Sequence, residues 1–277
     1  MKNLIKPNID SKHTLDNIIE KKHEPAKTTL SKIKYDIYNC YDIYPTSTEE
    51  LNSYANNPSG HIWPEKEAND LRNCYGKGKA YRELRLSILQ DVITCPFCEN
   101  NEANTLDHYF CKEKFPQYSV CADNLVPCCS SCNSNKGTLL TKDNKRLFLH
   151  FYYDKIPEYQ FIFCRFTFSS DNIPYININT IFKRNELNAD LIERHIHQTE
   201  YIEKTKSKIT SELKVEIRNI KETKLSLADT RITYTERYKS NKIETGSNAF
   251  KTIFYEGIIN SKDFIEHLYE EGHNKAK

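Results

Sequence analysis

Glycine is scarce in this chain, with seven in 277 residues, and there is a single tryptophan. So few helix breakers point to a largely helical protein. No sign of charge dominates, with 40 basic against 38 acidic residues. The chain therefore lacks a general basic field to draw nucleic acid to it, which argues against tight autonomous DNA binding. No apolar run approaches the length of a membrane span, so a membrane partner is not expected. The first residues carry no signal-peptide core, and the expected location is cytoplasmic. No internal repeat or low-complexity linker is present. The length suffices to bury a core and to hold one domain or two. Ten cysteines in this setting read as metal ligands plus reduced thiols, not as a disulfide framework.

What the sequence does contain is concentrated between Cys95 and Gly137: CPFC, then LDHYF, then DNLVPCCSSCNSNKG. Two C-x-x-C pairs, Cys95/Cys98 and Cys129/Cys132, lie about thirty residues apart. Each tight bend puts two thiolates on one side, and two bends complete a tetrahedron around Zn²⁺. Cys128 would leave a three-residue gap to Cys132, a less common spacing, so Cys129 is chosen. Cys40, Cys74, Cys111, Cys121 and Cys164 have no partner at ligand spacing and read as ordinary thiols.

Inside this frame the pattern predicts a short strand ending at Asp107-His108. A return strand follows over residues 124–126, closed by Pro127, and then a short helix over 130–136 stopped by Gly137. In that arrangement Asp107, His108 and Asn133 converge. A hard cation such as Mg²⁺ takes few protein ligands, all oxygens, and the Asp107 carboxylate and Asn133 amide oxygen are of that kind. His108 is then free to act as general base on a water attacking phosphorus. A zinc-stabilised nucleic-acid- or protein-binding module without catalysis would need the same four cysteines. It has no physical need for Asp107, His108, Asn124 and Asn133 together.

These residues resemble the core of the HNH endonucleases, the zinc-framed form of the ββα-metal nuclease motif. The resemblance implies that His108 is the general base, that Asn124 holds the loop and helps orient it, and that Asp107 and Asn133 bind the catalytic Mg²⁺ or Mn²⁺. Asn135, two positions along the helix, is the alternative to Asn133 and points elsewhere. Lys136 lies where the family often carries a basic residue near a phosphate. The close match spans about forty-five residues. More loosely, the flanks resemble stand-alone bacterial HNH proteins of anti-phage systems, such as the HNH partner of the ATPase in Septu-type systems and some retrons. That likeness implies cleavage of DNA, or of RNA such as tRNA, and an ATPase partner that gates it. Phe110-Cys111 departs from the Leu-Pro found at this place in many relatives.

The expected fold class is α+β, mostly helical, in three regions. Residues 1–90 form an N-terminal helical region with helices over 14–20, 25–41 and 79–90 and a polar loop over 52–64. There Trp63, beside Pro64, reads as a packing anchor. The metal-binding core occupies 91–145. Residues 146–277 hold a β-hairpin, with strands in 159–168 and 174–182 around Ser169–Asn172, followed by helices. Leu191, Ile202, Ile209, Leu213, Ile217 and Ile220 mark one stripe of a long helix. His195 and His197 fall on different faces of it and make a poor metal pair. A last helical region over 249–270 is amphipathic. Its Phe250, Phe254, Ile258 and Phe264 form a candidate surface for the partner, or else pack on the chain's own N-terminal helices.

Overall fold

The computed structural model describes residues 1–57, 62–76, 78–171 and 173–273. It is α+β, about half helical, with three small antiparallel two-stranded sheets. The chain divides into two compact units. One comprises Asn3–Phe97 and Asn101–Lys155, the other Met1–Lys2, Cys98–Asn100 and Ile156–Lys277. No described helix is both long and apolar enough to cross a membrane.

The first unit opens with five helices. α1 (Ser11–Glu20) is capped by Asp10, whose carboxylate accepts from the Lys12 and His13 amides at 2.9 and 3.0 Å. α2 (Ala26–Asp42) buries Leu30, Ile33, Ile37 and Cys40, a stripe at helical spacing. α3 (Thr48–Asn56) takes the first part, 52–56, of the polar loop expected over 52–64, and α4 (Glu65–Arg72) begins just after it; residues 58–61 of that span lie outside the described residues. The asparagines there suggested a loop, but Ser47 caps α3 by accepting from the Glu50 amide, and Leu51 and Tyr54 form a buried face. Trp63 is buried, its indole N–H donating to Gln117. α5 (Lys79–Leu89) buries Tyr81, Leu84 and Ile88.

Next come β1 (Thr105–His108) and β2 (Leu125–Cys128), paired antiparallel with Thr105 opposite Cys128 and His108 opposite Leu125. Pro127 lies within β2, and Asn124 closes a 3₁₀ turn just before it. α6 (Ser130–Lys136) ends at Gly137, which has φ +50°, the region where a Cβ is unfavourable. The order strand, strand, short helix follows the sequence expectation closely.

β3 (Thr141–Lys142) and β4 (Lys145–Arg146) form a hairpin whose two turn residues, Asp143 and Asn144, both have positive φ, as a two-residue loop requires. It delivers Arg146 to the interior. The fully buried guanidinium meets Asp154 at 2.7 and 2.8 Å and donates to Tyr109 Oη at 2.5 Å and Asn52 Oδ1 at 2.6 Å. Asp154 also accepts from the His150 amide at 2.7 Å. Burial opposes its ionisation, yet these bonds hold its carboxyl below the ordinary value. Breaking one side of such a pair leaves a buried unpaired charge, so Arg146→Leu should cost about 3–5 kcal/mol. Because the folded pKa is depressed, the contribution of Asp154 is complete above the usual carboxylate range and is lost as pH falls below it. Acid unfolding, followed by circular dichroism, should therefore show Asp154→Asn with lower stability at neutral pH and a shallower acid decline than wild type.

The second unit begins with β5 (Ile162–Phe168) and β6 (Pro174–Thr180), paired from Ile162–Thr180 to Phe168–Pro174. This is the expected hairpin; Asn172 of its turn lies outside the described residues. The single long helix is in fact two, α7 (Ala189–Gln198) and α8 (Tyr201–Thr223). The break falls at Glu200, whose φ is +52°. Within α7, His195 is buried and His197 exposed, on different faces as expected. α9 (Leu227–Thr245) follows, capped by Ser226. Then come α10 (Phe250–Ile259) and α11 (Lys262–His273).

The proposed partner surface is not a surface. Phe250, Phe254, Ile258 and Phe264 are all buried. Phe264 stacks on Phe166 of β5 with ring centroids 3.9 Å apart, and Phe254 meets the same ring edge-on. α10 approaches β5 closely at Gly257, where a Cβ would come within 2.8 Å of the Cys164 carbonyl oxygen. Phe254 and Phe264 therefore pack on the hairpin of their own unit.

Candidate functional site

Cys95, Cys98, Cys129 and Cys132 are buried, and their sulfurs all lie within 4.8 Å of one another. This set can hold one metal ion, and it excludes Cys128, which belongs to β2. Local backbone explains the choice. Cys129 is the N-cap of α6, and its sulfur accepts from the Cys132 amide at 3.4 Å and from Asn101 Nδ2 at 3.7 Å. The first bend is closed by the Cys95 amide bonding to the Asn101 carbonyl at 2.8 Å, and by left-handed Glu99. N–H groups aimed at the sulfurs favour the thiolate form that a metal requires.

Asp107, His108 and Asn133 do not converge as the sequence suggested: Asp107 and His108 leave β1 on opposite sides, as successive strand residues do, and only Asp107 lies toward α6. Asp107 faces α6. Its carboxylate is buried, with Oδ1 accepting from Lys136 Nζ at 3.1 Å. Oδ2 lies 3.0 Å from the same ammonium but without hydrogen-bond geometry, and has no hydrogen-bond partner. Burial raises the Asp107 pKa and Lys136 opposes the rise. Asn133 is half-buried on α6. Its Nδ2 donates to Thr105 Oγ1 and the Leu106 carbonyl, both at 3.3 Å, which turns its Oδ1 away from them. Asn135 is exposed one residue before Lys136.

His108 turns the other way. Its Nε2 lies 2.9 Å from the Ser119 carbonyl oxygen. A carbonyl can only accept, so Nε2 carries the proton and Nδ1 keeps its lone pair. The ring packs edge-on against Tyr75, with centroids 4.3 Å apart, and burial lowers its pKa to about 4.

Asn124 is fully buried and directs neither group at solvent. Its Oδ1 accepts from the Phe110 amide at 2.8 Å and the Tyr44 hydroxyl at 3.1 Å. Its Nδ2 donates to the carbonyls of Phe110 (3.0 Å) and Tyr118 (3.2 Å). Asn124 thus ties both ends of the loop between β1 and β2, including the residue before Ser119, and so holds the carbonyl that orients His108. Tyr44 in turn meets Nε2 of buried His150 at 3.0 Å. His150 Nδ1 accepts from the Tyr152 amide, so Nε2 donates to Tyr44, and burial lowers the His150 pKa to about 3.

Lys136 is not turned toward the surface, where a phosphate would lie. Its side chain is 1% exposed; Nζ also donates to the His108 carbonyl at 2.9 Å and sits about 6 Å from the Tyr109 and Phe148 rings. The cation on the His108 side is Lys112, whose ammonium lies 5.4 Å from the Tyr75 ring and whose charge acts on His108. Nothing local in the sequence singled out Tyr75, Ser119 or Lys112. Lys112 follows the Asp-His pair by four residues, and the sequence carries no other local trace of it.

A stretch of 89 residues is 36% identical to Protein ea31 of Escherichia phage lambda; the match covers 31% of this chain and 29% of that protein. The chain thus spans less than a third of that relative's length. No family model and no solved structure matches the chain.

Proposed function

We propose that the chain is a metal-dependent HNH-type endonuclease, with the four-cysteine cluster holding a structural zinc and β1, β2 and α6 forming the hydrolytic site. The observation that carries this reading is His108: a neutral imidazole at the end of β1, next to Asp107, pinned through Nε2 so that Nδ1 is left unprotonated.

Four sulfurs suit Zn²⁺. For a second, hard cation, the buried oxygen Oδ2 of Asp107, ion-paired with Lys136 but without a hydrogen bond, and the amide oxygen of Asn133 are the right donor class. A Mg²⁺ or Mn²⁺ ion held there would stabilise charge on the scissile phosphate and its leaving oxygen. In this reading the phosphate lies at the end of β1, where His108 is the last residue and both sides of the strand can reach it: Nδ1 takes the proton of the attacking water, and the phosphodiester anion strengthens it as a base. Ser119, fixed by Asn124, keeps the imidazole in the required tautomer. Lys112 meets the phosphate charge from the open side. DNA is the favoured substrate and RNA, including tRNA, the other. An ATPase partner, as in the anti-phage systems the sequence resembles, remains part of the proposal, but its docking face lies elsewhere than the buried phenylalanines of α10 and α11.

The two metal roles separate in one experiment. Asp107→Asn and Asn133→Ala should each lower cleavage in Mg²⁺, regain part of it in excess Mn²⁺, and keep one zinc per chain by elemental analysis. Full activity of both variants in limiting Mg²⁺ would remove these residues from the site.

A further inference from the structure

The position of Lys136 bears on when a cation can bind. Its ammonium lies within about 3 Å of both Asp107 oxygens, inside a pocket walled by Tyr109 and Phe148. Around this carboxylate, Asn133 is neutral, Arg146 is cancelled by Asp154, and Lys112 adds positive charge on the His108 side. Burial keeps the neighbouring Tyr109 phenol and Cys128 thiol protonated, and beyond Cys128 lie Cys95 and Cys129 of the cluster, which with zinc bound to four thiolates carries a net charge of −2.

Resting on the nuclease reading, we propose that Lys136 makes this site's affinity for a divalent cation conditional on a bound phosphodiester. Asp107 and Lys136 together carry no net charge. A divalent cation beside Oδ2 would face an ammonium a few ångströms away, with the negative charge of the zinc cluster farther off, beyond Cys128. At an effective protein dielectric, that repulsion weakens binding by more than about tenfold. The phosphodiester brings the missing negative charge, so cation and nucleic acid each raise the other's affinity by the same factor. The free protein then carries an unloaded, inactive site, without any lid or conformational change.

Mn²⁺ binding followed by loss of its free EPR signal tests this. The protein carries His108→Ala to prevent cleavage, and binding is counted relative to the same protein with Asp107→Asn. Without nucleic acid, Mn²⁺ should bind weakly; a short DNA duplex or, in parallel, total tRNA should tighten it by about tenfold or more. Lys136→Gln keeps a donor for Asp107 and removes the charge. It should bind Mn²⁺ about tenfold more tightly without nucleic acid, and lose most of the further gain. Lys136→Arg should behave like the parent. Circular dichroism and zinc content check each fold; if Lys136→Gln does not fold, the comparison with and without nucleic acid still decides. Tight Mn²⁺ binding by the parent alone, or no gain in folded Lys136→Gln, would overturn the inference while leaving the nuclease reading intact. No Mn²⁺ binding in any arm would overturn both.

Discussion

Cys132→Ser should lose the zinc and with it the fold around β1, β2 and α6. The three elements comprise two four-residue strands and a seven-residue helix, too little to bury a stable core unaided. Zinc binding in small modules is worth about 10–16 kcal/mol, which equals or exceeds the whole stability of a typical domain, about 5–15 kcal/mol. The loss should therefore appear as insoluble or protease-sensitive protein, not as a shifted melting temperature. Cys95→Ser should do the same. Cys128→Ser is the discriminating control: its sulfur lies outside the cluster, and this variant should retain one zinc per chain and a native circular dichroism spectrum. Zinc retained in folded Cys132→Ser, or lost in Cys128→Ser, would refute the ligand assignment.

His108→Ala should reduce cleavage by about 10²–10⁴-fold, the usual contribution of a positioned general base, while leaving zinc content unchanged. The side chain lies at the end of β1, and its loss removes the donor to the Ser119 carbonyl and one of the two rings packed on Tyr75, leaving Tyr81. A moderate fall in stability is therefore expected alongside the much larger fall in rate. The two effects separate by measuring rate well below the melting temperature. Ser119 contributes only its carbonyl to His108, so Ser119→Ala should keep most of the activity. An unchanged rate in His108→Ala would remove the base and favour a zinc-stabilised binding module.

The site was legible where the chemistry is local. Cysteine spacing selected Cys129 over Cys128, and Gly137 marked the end of α6. The strand pair was legible because short runs on either side of the loop carry their own punctuation. What holds the site in place was not. Asn124 acts through Tyr44, Tyr118 and Phe110, and behind Tyr44 stand His150, Asp154 and Arg146; the links that join this chain, Tyr44 to Asn124 and Tyr44 to His150, span 80 and 106 residues. No local pattern announces such contacts. Lys136 was misread for a related reason. Its place on the helix was clear, but whether an ammonium points outward or into a buried carboxylate depends on the depth at which the strand passes beneath. The stripe of phenylalanines in α10 and α11 showed that one face is buried, but not against what. Periodicity likewise ran on through Glu200, where the chain breaks α7 from α8 by a left-handed residue.

The central claim is that zinc-loaded protein hydrolyses phosphodiesters with a second, exchangeable metal. Wild-type protein should be incubated with supercoiled plasmid, genomic DNA and total tRNA in Mg²⁺ or Mn²⁺, alone and with its genomic neighbours, before and after brief EDTA treatment, with zinc measured on the same samples. Cleavage of at least one substrate, abolished by EDTA while one zinc per chain remains and restored by added Mg²⁺, is the predicted result. Zinc-replete, folded protein that cleaves none of them under any of these conditions would contradict it.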